Sequence, residues 1–253
     1  MNPPPLPSRE AVRHERFDTI WTQELNRVFA DVAPYYDRAN HVASLGLWNW
    51  FLRNFLDMID LRPRQRVLDV CAGTNAVGMA LLGRQPTLEV HAIDRSADMQ
   101  AVGRQHARAR GLPITSTIGD VHNLPFPDGY FDIVTLQWAS RHLRVKQVFA
   151  EIRRVLKPGG SFYHCDMLRP ANPAVERLYY GYLKFCLAFT GVVFRSGEPA
   201  LNCKRYFIDT LQMFYSAQEL SAILRDLRYC DVRSKTVLLG MVGFHGATKP
   251  ASD

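Results

Sequence analysis

The sequence predicts an α/β domain built on a mostly parallel sheet with helices on both faces. Short apolar strand-like runs alternate with helix-period segments from about Arg62 to Met167. Small or acidic residues stand where those strands end. The chain has 253 residues and is 47% hydrophobic, enough for one domain with a sizeable core and some decoration. Ligands of such folds bind outside the carboxyl ends of the strands.

Met1 to Ser8, opening on a proline cluster, reads as a flexible lead. Arg9 to Ala30 reads as a polar helix with apolar points at Phe17, Ile20, Trp21, Leu25 and Val28. From Ser44 to Ile59, Leu45, Trp48, Phe51, Leu52, Phe55, Leu56 and Ile59 recur at helical intervals, a stripe that a core must cover. Val67 to Val70 is a short strand running into Cys71-Ala72-Gly73-Thr74-Asn75, with helix after it through Leu82. A second strand, Glu89 to Ile93, ends at Asp94, and helix follows from Ser96 to about Arg110. Ile114 to Ile118 and Phe131 to Leu136 read as strands, and Val145 to Leu156 as helix. The turn Lys157-Pro158-Gly159-Gly160 then leads to a strand from Ser161 to Cys165.

Ala171 to Ser216 interrupts the alternation with Tyr179, Tyr180, Tyr182, Phe185, Phe189, Phe194, Tyr206, Phe207, Phe214 and Tyr215. This aromatic stretch is expected to form a helical cap, packed as core or covering an apolar ligand. The alternation resumes with a helix from Ala217 to Leu227 and two strands, Asp231 to Leu238 and Gly240 to Gly246, joined by a tight turn.

Composition narrows the partners less than the fold. The net charge of +7 suits phosphate or an anionic leaflet, yet serves solubility equally well. The five cysteines lie far apart without ligand spacing, so reduced cytosolic thiols are expected rather than a disulfide framework, and no metal site is expected. The N-terminus lacks the apolar centre of a secretory signal. The stretch from Tyr179 to Phe194 is broken by Gly181, Lys184 and Gly191 and falls short of a span, which needs roughly 20 apolar residues. A basic recognition arm is missing and Gln137-Trp138-Ala139-Ser140 stands after the fourth strand, so no nucleic-acid partner is expected.

The chemistry lies at the strand ends. A small-residue turn at Asp69 to Asn75 lets backbone approach a ligand, and the following helix N-terminus offers free N–H groups. Asp94, twenty-five residues after Asp69, is placed to accept both hydroxyls of a ribose; capping the next helix is its other role, which Ser96 can fill instead. At the third strand end the Asp120 carboxylate can take a hydrogen bond from an adenine amino group, and Val121 can flank the ring. Asp69, Gly73, Asp94, Asp120 and the Lys157–Gly160 turn form an ordered series more specific than any member.

This series resembles the class I S-adenosylmethionine-dependent methyltransferases, and more closely the ubiquinone/menaquinone biosynthesis C-methyltransferase family. The resemblance spans about Val28 to Gly246. It is carried by Tyr36-Asp37-Arg38-Ala39-Asn40 with Ser44 and Gly46, by Arg154-Val155-Leu156-Lys157-Pro158-Gly159-Gly160, by Leu124-Pro125-Phe126-Pro127-Asp128 and by Phe131-Asp132. It implies a Rossmann-like fold with a seven-stranded sheet ending in an antiparallel hairpin, S-adenosyl-L-methionine as cofactor, and methyl transfer to a ring carbon of a prenylated quinol. Residues 1–61 would then be N-terminal helices and an acceptor-site lid, 62–170 the cofactor-binding core, 171–216 the cap, and 217–253 the helix and strands that complete the sheet. Matched by position, Thr74, Asp94, Asp120, Val121 and Gln137 line the cofactor pocket, with Tyr36, Asp69, Ala72, Gly73, Asn75, Arg95 and Met99 around it. Tyr36, Asp37, Asn40 and Arg141 fall near the acceptor. The resemblance leaves room for a homodimer and for a cytoplasmic protein resting on the inner face of a membrane.

The chain departs from the family pattern at the loop, where Ala72-Gly73-Thr74-Asn75-Ala76 replaces Gly-Gly-Thr-Gly-Asp. Asn tolerates left-handed geometry, but its side chain is expected to take space beside the methionine moiety. Ala39, Trp48, His142, Asp166 and Leu168 also differ from the family residues near the acceptor. Ring-carbon attack needs a hydroxyl of the acceptor to lose its proton, so His142, or a water held by Arg141, is the expected base, ahead of Asp37 and Asp166. A packing role for His142 and an ion pair for Arg141 are the alternatives. Two other functions stay open: O- or N-methylation of a soluble small molecule in secondary metabolism, and a non-methylating binding subunit on the same fold.

Overall fold

Val67, Leu68, Val70, Ile133, Val134 and Leu136 are all buried, which is the pattern of strands covered on both faces and puts β1 (Arg66–Val70) and β4 (Phe131–Gln137) at the centre of the sheet. The computed structural model describes residues 6–21, 25–193 and 204–252. Its seven strands are ordered β3-β2-β1-β4-β5-β7-β6. The others are β2 (Glu89–Asp94), β3 (Ile114–Ile118), β5 (Leu156–Met167), β6 (Cys230–Val237) and β7 (Val242–Thr248). The first five run parallel, and β7 lies antiparallel between β5 and β6, as the resemblance implies.

Ten helices surround the sheet among the described residues: α1 (Leu6–Thr19), α2 (Leu25–Val32), α3 (Tyr36–Ala43), α4 (Trp48–Leu56), α5 (Ala76–Arg84), α6 (Ala97–Ala109), α7 (Val145–Val155), α8 (Pro173–Val193), α9 (Lys204–Gln212) and α10 (Ala217–Asp226). On one face α7 and α10 bury Phe149, Ile152, Leu220 and Leu224 against Leu68, Val134 and Phe162. On the other, α4 and α5 bury Phe51, Phe55, Leu81 and Leu82 against Val67, Ile133 and Phe244. Local chemistry fixes two of the helix starts. Ser96 caps α6 through the Met99 N–H, and Ser216 with Glu219 makes a reciprocal capping box on α10.

Arg9–Ala30 is helical wherever it is described, as α1 with a π turn at Ile20 and Trp21, and as α2 from Leu25. Three expected boundaries change. The stripe from Ser44 begins as a turn, because Leu45 and Gly46 take positive φ (51° and 81°), and helix starts only at Trp48. Lys157-Pro158-Gly159-Gly160 lies inside β5, where the Gly159 N–H donates to the Lys249 carbonyl at 2.9 Å and the pairing to β4 shifts register. The β6–β7 connection is a 3₁₀ turn at Leu238–Gly240. The cap is helical, as α8 and α9. Phe194 lies outside the described residues. Among the described residues no helix is long and apolar enough to cross a membrane.

Arg13 seats α1 on this frame. It is fully buried, donates to the carbonyls of Arg141 (3.0 Å) and Leu143 (3.4 Å), and lies about 5 Å over the rings of Phe214, Tyr215 and Trp21.

Candidate active site

The parallel strands β1 and β2 end side by side, so the loop after β1 and the acid at the end of β2 meet by register: Val70 pairs with Ile93 and Asp94 follows. The loop descends through three residues at positive φ, Cys71 (55°), Gly73 (51°) and Asn75 (61°). Asp94 closes it, accepting from the Gly73 N–H at 2.8 Å with Oδ2 and from the Ser96 N–H at 2.8 Å with Oδ1. Burial pushes the Asp94 carboxyl up, while those N–H groups work downward. A Cβ on Gly73 would come within 3.2 Å of Met99 Cε, which floors the loop.

Asn75 turns its side chain toward α6. Its side chain is fully buried against α6, where Gln100 Nε2 donates to its Oδ1 at 2.9 Å and to the Gly73 carbonyl at 2.9 Å. Gly103, one turn on, leaves the room: a Cβ there would stand 2.8 Å from Asn75 Nδ2 and 2.9 Å from the Thr74 carbonyl carbon. Asn therefore keeps the left-handed geometry that glycine would give, and its amide is stored behind the loop. Gln100 and Gly103 are loop-supporting residues that sequence reasoning missed; their spacing of three on a helix that begins beside the loop was the available signal.

Several buried polar atoms here lack partners, Asn75 Nδ2 and Gln100 Oε1 behind the loop among them. Asp69 is buried, with Oδ1 accepting from the Thr135 hydroxyl at 2.7 Å. Its Oδ2 makes no hydrogen bond of good geometry, although the Gly78 N–H works on the carboxylate. Burial pushes this carboxyl up to about 7. At the end of β4, Gln137 Nε2 is also buried without a hydrogen bond of good geometry, although the Gln137 side chain works on the Cys165 thiol. A buried acceptor and a buried donor left unmatched suit a ligand that brings an ammonium and a carboxylate. Asp120 is exposed at the end of β3, with Oδ1 accepting from the His122 N–H (3.0 Å) and joined to its ring (2.7 Å). Burial raises its carboxyl, but the His122 contacts outweigh this and hold it below the usual range. Val121 turns into the core. Arg95 reaches back to the Trp21 carbonyl at 2.5 Å, tying the end of the first helical segment to this side.

The residues expected near the acceptor come from farther apart. Asp37 on α3 accepts the Thr74 hydroxyl at 2.9 Å, so α3 closes onto the loop. Beside it, burial pushes the Tyr36 phenol up, with Arg141 working downward. Arg141 and His142 share a buried 3₁₀ turn after β4. Arg141 Nη1 donates to Asp166 Oδ1 at 2.7 Å and to the Trp138 carbonyl at 2.8 Å, which is the ion pair weighed as its alternative role. Asp166 has no exposure; it also accepts from the Ser140 and Met167 N–H groups, each at 2.7 Å. Ser140 Oγ lies 2.6 Å from Asp166 Oδ2 and 2.8 Å from His164 Nε2, and His164 contacts His245 across β5 and β7.

A near-neutral base is expected at His142, but burial, then Arg141 and Arg13, hold its pKa well below 6.5. The ring is neutral, hydrogen-bonded to the Tyr206 hydroxyl at 2.6 Å and stacked on that ring. Trp138 takes φ 59°, a strained value for a bulky residue, and stacks on Trp48 with centroids 5.5 Å apart. Asp37, Arg141 and His142 thus line the same end of the sheet, but no hydrogen bond joins Asp37 to the other two.

A left-handed loop after the first strand and an acid at the end of the next, at the carboxyl ends of a 3-2-1-4-5-7-6 sheet, define a class I S-adenosylmethionine-dependent methyltransferase. Within that class the chain belongs to the ubiE/COQ5 methyltransferase family, whose pattern matches residues 18–249. Similar curated proteins include a demethylmenaquinone methyltransferase of Thermus thermophilus, 30% identical over 88% of this chain and all of that one. A ubiquinone/menaquinone biosynthesis C-methyltransferase of Dinoroseobacter shibae is 28% identical over 88% of this chain and 89% of that one. Among solved structures, a phosphoethanolamine N-methyltransferase of Haemonchus contortus, in complex with S-adenosylhomocysteine, superposes with TM-score 0.61 at 16% identity. It covers 81% of this chain, which spans about half (53%) of that one. A SAM-dependent methyltransferase of Thermotoga maritima superposes with TM-score 0.62 at 17% identity, covering 88% and 98% of the two chains. These two superpositions speak to the fold alone.

Proposed function

We propose that this protein methylates a ring carbon of a prenylated quinol, or of a related aromatic ring, with S-adenosylmethionine as donor. The observation that carries this reading is the intact loop: three left-handed residues closed by Asp94, with Asn75 stored away from the pocket. It removes the sequence argument for a non-methylating subunit. The names of the curated relatives favour a quinol over a soluble acceptor.

In this reading residues 62–170 bind the cofactor, 1–61 supply the lid and 171–216 the cap, and 217–253 complete the sheet. Asp94 takes the ribose hydroxyls, Met99 flanks the adenine with Asp120 at its amino group, and Asp69, Gln137 and the loop from Ala72 to Asn75 receive the methionine end. When bound, the cofactor supplies a methyl group on a sulfonium, which is its own leaving-group activation. The protein aligns the acceptor and excludes water. Arg141, fixed by Asp166, favours the ionised form of a ring hydroxyl beside it, and a water at Arg141 takes the proton in preference to the neutral, weakly basic His142. Asp37 serves as a lid latch through Thr74. Full turnover in His142→Ala would confirm that the ring is not the base.

An acceptor with a long apolar tail also favours docking on a membrane surface. Leu45 is 75% exposed on the α3–α4 turn, and Leu178 and Phe185 are 76% and 67% exposed on α8. The Tyr182 hydroxyl donates to the Ala43 carbonyl at 2.6 Å, so these segments adjoin, and Arg38, Arg53, Arg177 and Lys184 around them are exposed. Flotation with anionic liposomes tests this; equal recovery with neutral ones would count against it.

Calorimetric titration with S-adenosylmethionine tests the main reading. We expect micromolar binding that weakens about 100-fold in Asp94→Ala, as for loss of hydrogen bonds to a charged group. A folded wild-type chain that does not bind would overturn it. Turnover on tail-free acceptors equal to that on prenylated ones would move the acceptor to a soluble compound.

A further inference from the structure

Tyr179 carries a polar group that the fold does not use. The residue is 4% exposed, and its hydroxyl has no hydrogen-bond partner among the described residues. The ring stacks on Tyr180 at 5.6 Å and packs with Leu183, Ile208 and Leu211 beside Met167 and Met241. Those contacts are apolar, so phenylalanine would serve them as well. A buried hydroxyl left without a partner costs stability, and it persists where something outside the resting protein uses it.

Its surroundings say what that is. Met167 follows Asp166, and Asp166 holds Arg141 at 2.7 Å. Of the charges acting on the Tyr179 hydroxyl, Arg141 is the strongest, then Asp166. Burial pushes the phenol above its ordinary value, so it stays protonated and can donate but cannot act as the base. The neighbouring Tyr180 hydroxyl also has no hydrogen bond of good geometry, but Glu176 works on it and leads the charges around it, and Arg141 is not among them. One helix thus offers two buried hydroxyls, only one of which lies in the field of the Arg141–Asp166 pair.

We infer that Tyr179 is a further catalytic residue, whose hydroxyl donates a hydrogen bond to the acceptor's ring oxygen as that oxygen becomes negative beside Arg141. This rests on the methyltransferase reading above. Attack by a ring carbon draws its electron density from an ionised ring hydroxyl, and a fixed neutral donor next to a cation stabilises that charge in a water-poor site.

The test compares Tyr179→Phe with Tyr180→Phe in the full chain. For Tyr179→Phe we expect unchanged S-adenosylmethionine affinity by calorimetry, a Tm equal to or above wild type, and kcat on a prenylated naphthoquinol lowered about 10- to 100-fold, the scale of losing one such donor. The acid limb of its kcat/KM profile shifts to higher pH. Tyr180→Phe should keep wild-type kcat. A second arm needs no turnover: the ionisation of a bound nitro-substituted naphthol, followed by absorbance, should move up by about one pH unit in Tyr179→Phe, equivalent to a tenfold weaker hold on the naphtholate. Wild-type values in both arms, or a Tm lowered together with cofactor affinity, would overturn the inference and leave the methyltransferase reading standing. A wild-type chain that does not bind the cofactor would overturn both.

Discussion

The two sides of the cleft are assembled differently. On the side proposed for the cofactor Asp69, Gly73 and Asp94 come from one βαβ unit, and the loop is braced from the next helix by Met99 and Gln100. On the acceptor side Arg141 depends on Asp166, its turn is held from α1 by Arg13, and His142 is held from α9 by Tyr206. The loop accommodates asparagine where the family pattern has glycine, because Gly103 opens room nearly two turns into α6. The acceptor side has no such slack, since a buried charge without its partner cannot be solvated.

That contrast breaks most visibly at Arg141. Arg141→Met leaves Asp166 buried and unpaired and should cost about 3–5 kcal/mol in urea unfolding, with part regained in the double variant with Asp166→Asn. A loss near zero would mean that the pair is as replaceable as the loop.

The buried histidines come next. Burial holds His245 down to about 4, against an ordinary 6.5. Its unfolded form binds the proton first, so its contribution is intact above pH 6.5 and is lost as pH falls toward 4, on the order of 3 kcal/mol in all. Asp69 runs the other way: with its carboxyl raised to about 7, it favours the fold at low pH and loses that contribution as pH rises from 3.8 toward 7. Unfolding followed from pH 7.5 to 4.5 should therefore show a steeper acid loss in Asp69→Asn and a shallower one in His245→Phe. Identical slopes in all three proteins would sink both assignments.

The smallest effects sharpen the loop. Gly103→Ala should weaken S-adenosylmethionine binding about tenfold, roughly 1.4 kcal/mol, because its Cβ meets Thr74 backbone as well as the Asn75 amide. Asn75→Gly should stay within about threefold in the same titration, since glycine keeps the left-handed turn. A larger change in Asn75→Gly would mean that its amide touches the cofactor.

The strands, their glycine and acid endings and the helical cap were legible because each is a local pattern: alternation of apolar runs, turn chemistry, and a carboxylate at a strand end. The turn at Leu45 and Gly46 was not, since the apolar stripe from Leu45 to Ile59 fits one continuous helix. The direction of Asn75 was equally hidden, because a left-handed residue can send its side chain to either side of a loop and only the missing Cβ of Gly103 decides. Ser140, His164, Asp166 and His245 gave no warning of their network. His164 and Asp166 share a strand face by spacing, but His245 joins them only once β7 pairs with β5, 81 residues on.

By itself, then, the sequence determined the sheet elements, the order of acids along their carboxyl ends and the family to which the chain belongs, because hydrophobic period and turn chemistry act over a few residues. Only the tertiary structure decided which distant segments cover those ends: Arg13 on the Arg141 turn, Asp37 on Thr74, and Tyr179 in the field of Arg141. Such contacts join residues 37 to 128 positions apart, and an unpartnered hydroxyl is defined by what fails to surround it. No local pattern encodes either, since both follow from how the finished elements pack.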